Sequence, residues 1–121
     1  MSEINASFDV TTIEGKMKVF NAQNGASISL KTLADKTVIE AEGVLQYTEK
    51  LDTYGQEQDA TVTVIFAKDG TSYAGVSETV GTAGAKLIDF VGATGLKTFK
   101  IMIVKALSSK GNEFLNLQLV K

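Results

Sequence analysis

Apolar residues recur at every second position in run after run of this chain, and that is the period of a half-buried strand. In "ATVTVIFA" Val62, Val64 and Phe66 share one face. In "LKTFKIMIVK" Phe99, Ile101 and Ile103 do. In "NEFLNLQLV" Leu115, Leu117 and Leu119 do, with Asn116 and Gln118 opposite. The same reading gives strands to "KMKVFN" and to "SISLK" beyond the Asn24-Gly25 turn, either as a hairpin or as one long strand bent near Gly25. "TVIEAEGVLQYTEK" is a strand as well, and "KDG" turns "ATVTVIFA" toward "TSYAG". "SFDVTTIEG" is a further strand candidate near the start.

One segment breaks the period. In "VSETVGTAGAKLIDFVGATG", Val76, Val80, Ala83, Leu87 and Val91 recur at three- and four-residue spacing, one face of a helix. Ser77 suits the N-cap, Glu78 the first turn, and Gly92 or Gly95 the end. Gly81 and Gly84 each cost about 1 kcal/mol relative to Ala, but permit close packing against a sheet. Three strands, a helix and two more strands is the order of an OB-fold, a five-stranded Greek-key barrel with a helix between strands 3 and 4. Closure would remove exposed edges, which suits short alternating strands in a chain with no proline. A length of 121 residues fits a single domain over 1–121.

Composition narrows the chemistry. With no His and no Cys, a Ser-His-Asp triad, a thiolate nucleophile and a typical zinc site are excluded. There is no P-loop lysine motif. A carboxylate-held Mg²⁺ or Mn²⁺ is what remains for catalysis. Glu40 and Glu42 share a face at i, i+2, but a solvated face explains them better, and no Arg stands by to clamp a phosphate. The expectation is a non-enzyme without cofactor. Nothing resembles a signal peptide, and "IMIV" and "VIFA" are far too short to span a bilayer, so a soluble intracellular protein without a membrane partner is expected. The net charge of −2, from 12 Lys against 14 Asp and Glu, gives no general attraction to polyanions. A nucleic-acid site would need a local cluster of lysines.

Tyrosine placement supplies the one pointed signal. Tyr47, Tyr54 and Tyr73 all lie in the central third of the chain. On an OB barrel they fall near the end of strand 2, in the 2–3 loop and just after strand 3, beside the oligonucleotide-binding face. Each base stacked on such a ring contributes about 1–3 kcal/mol, whatever the base. Against this, strict alternation puts Tyr47 on the face of Ile39 and Leu45, the interior, and only a bulge near Gly43 would turn it outward. Tyr54, among Asp52, Gly55, Gln56, Glu57 and Gln58, reads as exposed. Lys16 and Lys18 line one side of the first strand, Lys50 ends the second, and Lys110 sits in the 4–5 loop "ALSSKGN". These lysines form either a solvated surface or a track for phosphates. Phe114, out of phase with Leu115, Leu117 and Leu119, is a fourth stacking ring beside Lys110, a lid on the barrel's end or an outer packing residue.

The stretches "EGKMKVFNAQNG", "DTYG", "ATVTVIFAKDGTSYAGVS" and "SSKGNEFLNLQL", in this order and spacing, resemble the single-stranded DNA-binding proteins of small protein-primed tailed phages of the phi-29 type. The resemblance covers nearly the whole chain after the first dozen residues. It implies an abundant early viral protein of the infected bacterial cytoplasm that coats strands displaced during DNA replication. It also implies that Tyr47, Tyr54 and Tyr73 stack on bases. Single-stranded DNA is then the partner, with the phage DNA polymerase and terminal protein as further candidates at the fork. Some members carry a longer N-terminal region linked to self-association, so a monomer or a weak homo-oligomer is expected. Two other classes stay open: an OB-type module that binds protein or RNA, and a phage structural or assembly protein.

Overall fold

Chain alternation builds most of the molecule, as the computed structural model shows for residues 4–25, 27–53, 55–107, 109–111 and 113–121. Strand β1 (Ile4–Ala6) precedes helix α1 (Ile13–Gln23) and a short strand β2 (Ile28–Ser29), which runs into a 3-10 turn at Leu30–Thr32. Strands β3 (Val38–Thr53) and β4 (Gln56–Ala67) form a long hairpin, followed by β5 (Ser72–Gly75). Helix α2 (Glu78–Thr94) then leads to the hairpin of β6 (Phe99–Leu107) and β7 (Glu113–Val120).

All seven strands belong to one curled sheet, in the order β2-β5-β4-β3-β6-β7, with β1 added against β3. The expectation of a mostly β, barrel-like fold holds. The sequence expectation is five strands and one helix; the described residues form seven strands and two α-helices, and β2 and β7 are the two ends of the sheet's order. No helix among the described residues is long and apolar enough to cross a membrane.

Strand β3 organises the sheet. One edge pairs with β4 along most of its length. The other edge pairs first with β6, from Val38 to Ala41, and then with β1, from Leu45 to Tyr47. Between the two partners the register shifts at Ala41/Gly43, a bulge. An extra residue in a strand reverses the face of everything beyond it. Accordingly Ile39, Ala41 and Val44 belong to one buried cluster, and Leu45 and Tyr47 to another.

The larger cluster lies under α2. The Ser77 hydroxyl accepts from the Val80 amide at 3.3 Å, and Gly95 closes the helix with φ 70°. Val80, Leu87, Ile88 and Val91 pack onto Ile65, Phe99, Ile101, Ile103, Leu115 and Leu117. Each such side chain contributes about 1.5–3 kcal/mol by leaving water. Gly84 sets the distance between helix and sheet. A Cβ there would lie 2.6 Å from Thr63 Cγ2 and 2.7 Å from Gln46 Nε2. The Gln46 amide, buried by this approach, donates to Thr63 Oγ1 at 2.9 Å and to the Gly81 carbonyl at 2.7 Å.

Three sequence expectations are corrected. "KMKVFN" is part of helix α1, not a strand, so Lys16 and Lys18 are helical residues. The Thr12 hydroxyl accepts from the Gly15 amide at 3.0 Å, and Glu14 sits in the positive first turn. "SFDVTTIEG" is not a strand either: β1 lies before it, and Asp9 to Thr12 form the turn into α1. The Thr11 hydroxyl and amide both donate to the Asp9 carboxylate, which holds its pKa below the usual range. Finally, "SISLK" keeps only two strand residues, while the polar stretch around Tyr54 is strand on both sides of a tight turn, with Gly55 at φ 77°.

Candidate nucleic-acid interface

The second face of the sheet carries the aromatic residues. Beyond the bulge, alternation aims Leu45 and Tyr47 of β3 at the same side as Val62, Val64 and Phe66 of β4. Helix α1 lies over this face and contributes Ala22, with Val19, Ala6, Phe8 and Ala74 partly buried around it. The Phe8 ring meets Phe66 edge-on, centroids 5.4 Å apart at 87°. The Lys18 ammonium stands 5.2 Å from the Phe8 centroid and 5.7 Å from that of Phe66. It also pairs with the Glu42 carboxylate at 3.2 Å.

Tyr47 is 7% exposed, and its hydroxyl donates to the Ala22 carbonyl at 3.3 Å. Burial first, and then the Glu49 charge, push its pKa above the usual tyrosine value. A cleft of about 570 Å³ opens beside it, lined by Ile4, Asn5, Gln46, Tyr47, Thr48 and Thr61. The bulge named as the condition for turning Tyr47 away from Ile39 is therefore present. The ring still does not reach solvent freely, because a helix that the alternation reading missed covers that face.

The remaining predicted site residues are spread out. Tyr73 stands opposite Ile65 and packs against the α2-side cluster, so the sheet separates it from Tyr47. Tyr54 lies outside the described residues. Lys50 is exposed on β3 opposite Asp59. Lys16 is exposed on α1, and Lys18 is partly covered. Lys110 is exposed in the β6–β7 turn, and Phe114, 39% exposed, lies near the start of β7 opposite Ala106. Glu42 is taken by Lys18, and Glu40 faces Lys100 across β6.

Two surface features had no sequence signal strong enough to name them. Phe8 carries no periodicity of its own, yet it closes the aromatic cluster by packing over Gly43, where a Cβ would lie 3.0 Å from its Cδ1. A pocket of about 300 Å³ at the end of α2 is lined by Phe90, Leu96, Phe99 and Leu119, together with Lys100, Lys121 and Glu40. The cleft that runs along the outer side of α2 instead carries Asp59, Glu78 and Asp89 against Lys86 alone, an unfavourable lining for phosphates.

The model of the family described as phage single-stranded DNA-binding protein matches residues 1–120. The chain belongs to this family. It is 50% identical over 119 residues to the single-stranded DNA-binding protein of Bacillus phage B103, which spans 98% of both chains. It is 49% identical over 116 residues to the protein of that name from Bacillus phage phi29, covering 96% of this chain and 94% of the relative. No solved structure matches the chain. Within the phage single-stranded DNA-binding protein family, then, this member carries an aromatic cluster beneath α1 and exposed Lys110 and Phe114 toward the β6–β7 turn.

Proposed function

We propose that this protein binds single-stranded DNA with little regard to sequence and coats strands displaced during protein-primed phage replication, in the cytoplasm of the infected host. The observation that carries this reading is the end-to-end half identity with the B103 protein of that name. Rings stack on bases and a few lysines neutralise phosphates. Tyr54, Tyr73 and Phe114 are rings assigned to stacking, and Lys110, Lys50 and Lys16 are exposed lysines assigned to phosphates. Tyr47 and Lys18 complete the assigned set. The DNA polymerase and terminal protein of the phage are the partners at the fork, and no chemical step is assigned to the chain.

Lacking Arg and carrying a net charge of −2, the protein leans on stacking more than on charge. About three to five phosphate contacts per protomer are expected, each adding about −0.7 to the slope of log affinity against log salt. The test is quenching of tyrosine emission by poly(dT); with no Trp in the chain, the three tyrosines dominate that emission. Tyr54→Ala is expected to weaken binding by about 1–3 kcal/mol, roughly 5- to 150-fold. Failure of the native chain to bind poly(dT) overturns the function; unchanged affinity in the variant removes Tyr54 from the site.

A further inference from the structure

Helix α1 is docked with its least sticky residues inward. Among its described side chains only Ala22 is buried apolar surface, with Val19 half in, while Ile13, Met17 and Phe20 stand 80%, 58% and 66% exposed. A helix held for stability turns its large apolar residues toward the core. Here they face water, and the sheet beneath is the apolar partner: Leu45, Tyr47, Val62, Val64 and Phe66. Two polar ties reach across the boundary. One is the Tyr47 hydroxyl on the Ala22 carbonyl, the other the Lys18–Glu42 pair. Both partners of the ion pair are already in contact with solvent, so parting them strands no buried charge. A free helix of 11 residues is marginal in water. Opening α1 also returns part of Leu45, Tyr47, Val62, Val64 and Phe66 to water, so the open state is a minor one until stacked bases cover that face again.

We propose that α1 is a latch over a second nucleobase-binding face, and that unpaired bases displace it to stack on Tyr47 and Phe66. The proposal rests on the reading of the chain as a single-stranded DNA binder. Opening uncovers two aromatic rings set in an apolar sheet, the platform on which bases of any kind stack. It also releases Lys18 from Glu42, leaving Lys18 and Lys16 to meet the phosphates that accompany those bases. The cleft beside Tyr47 gives the strand a place to enter before the helix has moved. Duplex DNA offers no unpaired base for this exchange and leaves the latch shut, which makes the device a source of preference for single strands. Because only the open fraction is competent at this face, the latch lowers apparent affinity by that fraction.

Hydrogen exchange on the native protein, with and without saturating poly(dT), tests the latch directly. Amides of α1 are expected to exchange at least about tenfold faster in the complex, while those of β4 and β6 keep their protection. Unchanged or slower exchange in α1 overturns the latch. A second measurement uses Tyr54→Phe/Tyr73→Phe, which keeps the rings and leaves Tyr47 as the lone tyrosine. Its emission is expected to be quenched by poly(dT) and untouched by duplex of the same length. If a gel shift shows poly(dT) bound and the emission is unchanged, the latch fails and the DNA-binding function stands. If the native chain binds no poly(dT), both fall.

Discussion

Each face of this sheet carries one helix, and the two helices are attached in opposite ways. Helix α2 presses Val80, Leu87, Ile88 and Val91 into the sheet and is drawn close enough that Gly84 admits no Cβ. Helix α1 buries Ala22 and leaves its bulky apolar residues outside. The contrast divides labour within one sheet. Stability is concentrated on the α2 side, where burial is deep. The α1 side buries its aromatic rings beneath a helix that itself inserts little apolar surface, which on the proposed reading makes opening there local rather than global.

The sharpest test of that division is truncation on the two helices. Leu87→Ala removes a buried side chain from the α2-side cluster and is expected to cost about 2–5 kcal/mol in denaturant unfolding. Met17→Ala on α1 is expected to stay within about 0.5 kcal/mol of the native protein. Comparable losses from the two would show that α1 belongs to the same cooperative core, and the comparison would break.

The legibility of the sequence follows the same divide. The helical stripe of Val80, Ala83, Leu87 and Val91, with Ser77 as cap and Gly95 as stop, was readable because α2 obeys the rule that apolar residues face the core. The alternation of Val62, Val64 and Phe66, of Phe99, Ile101 and Ile103, and of Leu115 and Leu117 was readable for the same reason. Helix α1 defeats that rule. Lys16, Met17, Lys18 and Val19 alternate as in a strand, and their helical apolar stripe points at water. What decides α1 is contact at a distance from any pattern. At Gly15 a Cβ would lie 2.0 Å from the Asp9 carbonyl oxygen, and the Thr12 cap closes on the same turn. Tyr47 illustrates a subtler limit. Sequence could state that its face depends on a bulge at Gly43, but the bulge is set where β3 changes partners from β6 to β1, a fact of topology. The tyrosines were therefore legible as residues of interest and not as a single constellation, since Tyr47 and Tyr73 end on opposite sides.

Caps offer a finer test, because the chemistry is matched. Ser77 accepts from Val80 and Thr12 from Gly15, each at the start of its helix. Replacing either by Ala costs its helix about 1 kcal/mol. Ser77→Ala is expected to lower the denaturation midpoint of the whole protein. Thr12→Ala is expected to leave that midpoint nearly unchanged and to speed hydrogen exchange in α1 alone. Equal shifts of the midpoint would mean that both helices open only when everything does.

The smallest expected effect concerns the one tie between Tyr47 and α1. Burial raises the pKa of this phenol in the folded state, so the fold favours its protonated form. The contribution is fully present below the usual tyrosine value of about 10 and is lost as pH rises through the higher folded value, because the unfolded chain releases its proton first. The phenolate can no longer donate to the Ala22 carbonyl, so the loss is local to the α1 face. Thermal midpoints measured from about pH 9 to pH 11 should therefore fall more steeply for the native protein than for Tyr47→Phe, which keeps the ring and has no proton to lose. Identical slopes would show that the hydroxyl is not held by the helix, and that α1 rests on Tyr47 through the ring alone.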